Sequence, residues 1–141
     1  MSTPIRFDAV LFDCDGVLVD NEPLTLGVLR DMLAARGWDM PLDECVRLFL
    51  GRQVRSQRVL IEARTGQPLT DAWMDAFYAR RNDALRSHLQ AIPGAVAAVQ
   101  QCHALLGGKI AVASGADKAK VLMQLDKVGL LPLFDPHIFS G

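Results

Sequence analysis

The chain is short of the residues that mark several common classes of protein. Cysteine is scarce: Cys14, Cys45 and Cys102 are odd in number, widely spaced and without metal-ligand spacing. That excludes a disulfide framework and implies reduced thiols in a cytoplasm. The three histidines, His88, His103 and His137, show no ligand spacing either. Excess charge of one sign is missing: acids and bases are interspersed and the net charge is −1, which removes any electrostatic argument for nucleic acid or a membrane surface. No apolar run approaches the ~20 residues of a membrane-spanning helix. The amino terminus lacks the basic-then-apolar pattern of a secretory signal. Internal repeats and low-complexity segments are also absent. The expectation is a soluble cytoplasmic protein.

What is present is apolar content. Half of the 141 residues are hydrophobic, enough for a packed core in one ordinary domain or a small domain with an insertion. The most informative stretch is the run Ala9-Val10-Leu11-Phe12 ending in Asp13-Cys14-Asp15-Gly16. It reads as a buried parallel strand that delivers acids to the carboxyl edge of a sheet. Residues two apart on extended backbone point the same way, so Asp13 and Asp15 converge on a volume suited to a divalent cation, a phosphate, or both. Cys14 points away from them, into the core. A calcium loop of the EF-hand kind is the weaker reading, because its glycine and glutamate positions hold Leu18 and Leu24.

Helical patterns follow. Residues 23–36, with Leu26, Leu29 and Leu33 at helical spacing, form an amphipathic helix closed by Gly37. Further helices are expected over 43–50, over 54–64 with Gly66 as the stop, and over 71–89 with Thr70 as cap. After Pro93-Gly94 come a helix over 95–106, a strand over 109–113, a helix over 117–128 and a last apolar piece at 137–139. Strand alternating with helix implies a parallel sheet. The fold class is therefore α/β: a Rossmann-like core from residues 1–15 and 93–141, interrupted by an all-helical insertion over 16–92. Lys118 and Lys120 are expected on an exposed helix face, and Trp38 and Trp73 in packing.

The segment from Phe12 to Glu22, FDCDGVLVDNE, resembles the first signature of the haloacid dehalogenase-like hydrolases, in the phosphatase and β-phosphoglucomutase-like subgroup with a helical cap. The resemblance implies Asp13 as nucleophile and Asp15 as general acid/base. It also implies a Mg2+ cofactor, with Asp13 and the backbone carbonyl of Asp15 among its ligands. Val112-Ala113-Ser114-Gly115 is similar to the second signature, with Ser114 in the phosphate-binding role and Gly16 and Gly115 beside it. Leu50-Gly51-Arg52 resembles a cap loop that reaches toward substrate. Arg52, and less so Arg55, suits a second anionic group, and Glu22 lies just past the signature. A solvated basic face and a first-turn helix acid remain open as the plainer roles of Arg52 and Glu22.

The implied activity is hydrolysis of a small phosphorylated metabolite, of the sugar phosphate or phosphoglycolate type, through an aspartyl-phosphate on Asp13. No nucleic acid or membrane partner is expected, and the oligomeric state is left open. The family's later lysine and acidic pair are not found in these residues. The chain is accordingly expected to be the amino-terminal portion of a longer protein, inactive or weakly active alone, with an incomplete sheet. The alternatives are a non-catalytic paralogue acting as a protein-binding module, or a sugar phosphomutase. The mutase is disfavoured because Thr25 stands where it has histidine and Asp117 where it has lysine.

Overall fold

The computed structural model describes residue 4 and residues 6–141. The chain divides into two compact units: residues 1–21 with 89–141, and residues 22–88.

The first unit is the α/β one. Strands β1 (Val10–Phe12), β2 (Ile110–Ser114) and β3 (Ile138–Ser140) form a parallel sheet in the order β1-β2-β3. The register sets Phe12 opposite Val112, and Val112 opposite Ile138. Helices α5 (Ala95–Leu105) and α6 (Lys118–Lys127) and the short α7 (Leu131–Phe134) make the connections. Side chains alternate across a sheet, so Phe12, Ile110, Val112 and Ile138 share one face. There α7 packs against β2, and Phe12 meets Phe134 edge-on at 5.7 Å between ring centres.

The opposite face differs from the buried strand expected at residues 9–12. Leu11 is 66 % exposed and Phe139 is 58 % exposed. The reason is topological: among the described residues, no element covers that side of the three strands.

The ends of the insertion are tied into this unit. Asp20 N donates to Gln90 O and Ile92 N to Leu18 O, both at 2.9 Å, and Val19 and Ala91 form an antiparallel bridge. Outgoing and returning backbone satisfy each other's polar groups. The compact units part at 21/22 and 88/89.

The second unit is all helical: α1 (Glu22–Ala34), α2 (Leu42–Phe49), a 3-10 turn (Val54–Gln57), α3 (Arg58–Thr65) and α4 (Asp71–His88). Leu26, Leu29, Met32 and Leu33 form the buried stripe of α1, and join Trp38, Phe49, Ile61, Met74 and Phe77 in one core. Gly37 (φ 89°) ends α1 in the left-handed conformation a side chain disfavours. Thr70 caps α4 by accepting from Trp73 N at 3.1 Å. Glu62 ties α3 to the next loop, accepting from Arg58 Nε at 2.8 Å and Leu69 N at 2.9 Å. The Leu69 N–H chiefly, and Arg58 next, hold its carboxyl below the ordinary 4.5.

Two outcomes follow. Phe134→Ala removes a fully buried ring and lowers stability by about 3–5 kcal/mol, read by urea unfolding of the first unit's signal. Glu62 binds protons less readily folded than unfolded, so its stabilisation is present above the unfolded value and is lost as pH falls through the folded one. Glu62→Gln therefore flattens the loss of stability seen on acidification below about pH 4.5, measured by thermal melts across that range.

Candidate active site

The carboxyl ends of β1 and β2 lie side by side, because Phe12 pairs with Val112 in parallel register. Asp13 follows Phe12 directly, and Ser114 closes β2 two residues past Val112. The backbone then turns sharply. Gly16 adopts φ 72°, its N–H bonds Val19 O at 3.0 Å, and Cys14 O accepts from the N–H groups of Val17, Leu18 and Val19. The turn fixes the acids on either side of Cys14. That thiol is fully buried and is pushed up to about 12, first by burial and then by the neighbouring Asp15 charge. It packs in the core as expected.

Asp13 is exposed, and its Oδ1 accepts from Cys14 N at 2.7 Å. Asp15 is held on both oxygens. Lys120 Nζ lies 3.0 Å from Oδ2, and Gln124 Nε2 donates to Oδ1 at 2.9 Å. Lys120 departs from the exposed helix face expected of it. Its side chain is only 10 % exposed, because the ion pair draws it along the sheet-facing side of α6, whereas Lys118 is exposed as expected.

Gln124 is wholly buried and Asn21 nearly so, and Asn21 Nδ2 donates to Gln124 Oε1 at 3.1 Å. Sequence reasoning missed all three. The available signal was spacing: residues 120 and 124 fall on the same helical stripe as the buried Val121 and Leu125.

Ser114 Oγ accepts from Ala116 N at 3.1 Å, which leaves its hydroxyl proton available to a further acceptor. The cap of α6 is Asp117, whose carboxylate accepts from Lys120 N at 2.9 Å. That first-turn N–H is thus engaged within the helix itself. Gly115 is exposed, with open space where a Cβ would stand.

Glu22 and Arg52 belong to the helical unit. Glu22 opens α1 as a first-turn acid, and Arg52 is exposed just after Gly51 (φ 71°). Arg55 is paired with Asp71 at 2.7 Å, across a cleft of about 270 Å³.

Among the described residues, no group of three or more His, Cys, Asp or Glu side chains is arranged to hold a metal. The donor set present is hard oxygen: the exposed Asp13 carboxylate and nearby backbone carbonyls. Mg2+ binds through one or two carboxylates while keeping several waters, so these residues fit it as part of its shell. No described helix is long and apolar enough to cross a membrane.

Comparison with known proteins gives a consistent family. The family model for haloacid dehalogenase-like hydrolases matches residues 7–141. The 6-phosphogluconate phosphatase of Escherichia coli is 29 % identical over 139 residues, covering 96 % of this chain and 60 % of that protein. A haloacid dehalogenase-like protein of unknown function from Agrobacterium tumefaciens superposes with TM-score 0.80 at 30 % identity, over 95 % of this chain and 59 % of that one. A hydrolase from Deinococcus radiodurans with bound phosphate and sodium gives TM-score 0.72 at 29 % identity, over 95 % and 58 %. The chain thus spans about three fifths of the length of these relatives.

Burial also orders the three thiols by reactivity. Cys102 is half-buried while Cys14 and Cys45 are buried. A thiol reagent added to the native chain labels Cys102 first and the other two only on unfolding, as peptide mass mapping would show.

Proposed function

This chain belongs to the haloacid dehalogenase-like hydrolases, and we propose that it carries the nucleophile and acid/base of a Mg2+-dependent phosphatase acting on a small phosphorylated metabolite. The observation that carries the reading is the division of labour between the two acids. Asp13 presents an exposed carboxylate at the sheet edge, while Asp15, two residues on, is held by Lys120 and Gln124. A nucleophile needs access and an acid/base needs a fixed place.

In the proposed reaction a carboxylate oxygen of Asp13 attacks phosphorus, and the bond to the leaving oxygen breaks. Asp15, having taken a proton from water on a lone pair that neither Lys120 nor Gln124 occupies, gives it to that oxygen, leaving an aspartyl-phosphate on Asp13. Water then attacks this intermediate, Asp15 takes the water's proton, and inorganic phosphate departs with Asp13 restored. Ser114 donates its hydroxyl proton to a phosphate oxygen, beside the backbone of Gly16 and Gly115. Mg2+, with Asp13 and the Asp15 carbonyl among its ligands, would neutralise charge as anion meets anion.

The site residues on the helical unit are assigned to selection. Arg52 suits a second anionic group by its guanidinium, and Glu22 suits a hydroxyl. We take residues 16–92, the insertion as read from the sequence, as the cap. Sugar phosphates and phosphoglycolate-type acids are the substrate class, in keeping with the activity named for the Escherichia coli relative and the phosphate bound in the Deinococcus structure. The cytoplasm is the proposed location, in keeping with three free thiols. The chain holds few ligands for Mg2+, so turnover by these residues alone is expected to be weak.

The test is hydrolysis of p-nitrophenyl phosphate with Mg2+. Asp13→Asn abolishes turnover and the intact-mass gain of one phosphoryl group after acid quenching. Asp15→Asn lowers kcat by about 10²–10⁴-fold, and EDTA removes activity that Mg2+ restores. Unchanged turnover in Asp13→Asn would refute the reading.

A further inference from the structure

Helix α6 spends two positions of its buried stripe on polar side chains. Lys120 and Gln124 stand one helical turn apart, beside the buried Val121 and Leu125. Methionine at 120 and leucine at 124 would fill similar volumes without the cost of taking an ammonium and an amide out of water. Packing therefore does not account for them. What they share is one partner, because Lys120 Nζ is 3.0 Å from Asp15 Oδ2 and Gln124 Nε2 is 2.9 Å from Asp15 Oδ1.

The amide is itself oriented. Asn21 Nδ2 donates to Gln124 Oε1 at 3.1 Å, which turns the opposite end of the amide, the donor, toward Asp15. Flipped, Gln124 would set its carbonyl oxygen against a carboxylate and its NH2 against another NH2. The same Nε2 lies 3.8 Å from Cys14 Sγ, which closes the remaining side. Two segments about a hundred residues apart, 14–21 and α6, thus meet around a single carboxyl group.

We propose that Lys120 and Gln124, with Asn21 behind Gln124, are positioning residues that hold the Asp15 carboxyl in one orientation at the edge of the sheet. The catalytic consequence rests on the reading of Asp15 as acid/base given above. A free aspartate side chain turns about two torsions. One donor on each oxygen removes both freedoms and leaves Asp13 as the carboxylate open to substrate. Proton transfer requires hydrogen-bond reach of the leaving oxygen, and displacement of about 1 Å costs roughly 10²-fold in rate.

The test combines kinetics with a readout of the contacts themselves. With p-nitrophenyl phosphate and Mg2+, Lys120→Met and Gln124→Leu are expected to lower kcat by about 10- to 100-fold with KM within about twofold, both variants staying folded at the assay temperature although each leaves a partner unpaired and lowers the thermal midpoint. Lys120→Arg is expected to recover most of the loss. In NMR spectra of the unaltered chain, the Gln124 side-chain amide shows slow exchange with water, and Asp15→Ala shifts it.

Normal kcat in both Lys120→Met and Gln124→Leu, while Asp13→Asn is dead, overturns the positioning role and leaves the phosphatase reading intact. Lys120→Arg no better than Lys120→Met also overturns it. If Asp13→Asn retains turnover, the phosphatase reading fails. The Gln124 amide then decides the grip by itself: an unshifted resonance in Asp15→Ala refutes it, and a shifted one upholds it.

Discussion

Two carboxylates placed two residues apart repel each other, and the first unit is arranged around that repulsion. Asp13 and Asp15 flank a buried Cys14, so neither can retreat into the core without taking a charge out of water. One is given a cation and an amide, through Lys120 and Gln124, and the other is left at the surface. The left-handed turn at Gly16 and the three N–H groups converging on Cys14 O hold the pair in this unequal state. Inequality is what chemistry with two acids requires, since neighbouring carboxyls in equal surroundings cannot take different roles.

The same unit also accommodates the insertion. The chain leaves after Asn21 and returns at Leu89, and backbone bonds at Leu18–Ile92 and Asp20–Gln90 join the two passages. The helical unit builds its own core from the stripe of α1 and the inner faces of its other helices. Each unit thus has its own packing. Asn21, the last of these before α1, is tied by its side chain to Gln124 of α6.

Much of this was legible in the sequence, for local reasons. The helical spacing of Leu26, Leu29 and Leu33, the stops at Gly37 and Gly66 and the cap at Thr70 all express short-range chemistry, and the helices lie within a few residues of the expected bounds. The parallel sheet followed from alternation of strand and helix. The exposed face carrying Leu11 and Phe139 shows the limit of that logic. An apolar run speaks for a strand, but its partner on each face is set by other elements. Lys120 shows a second limit. A lysine within a helix is usually solvated, and its pairing with an acid 105 residues away leaves no trace in local spacing. Asp117 illustrates a third, since a capping side chain and an anion compete for the same N–H groups.

The separation of Asp15 from Lys120 by 105 residues also sets a timetable for synthesis. At about 5–20 residues per second, the acids leave the ribosome roughly 5–20 s before their cation does. Strand β1 waits equally long for β2, its parallel neighbour. The helical unit, whose contacts lie within one continuous stretch, is complete in the meantime and has the local topology of fast folders. The sheet edge that carries the two acids is therefore the late part of the molecule to assemble, and the helical unit is already in place when the acids meet their partners.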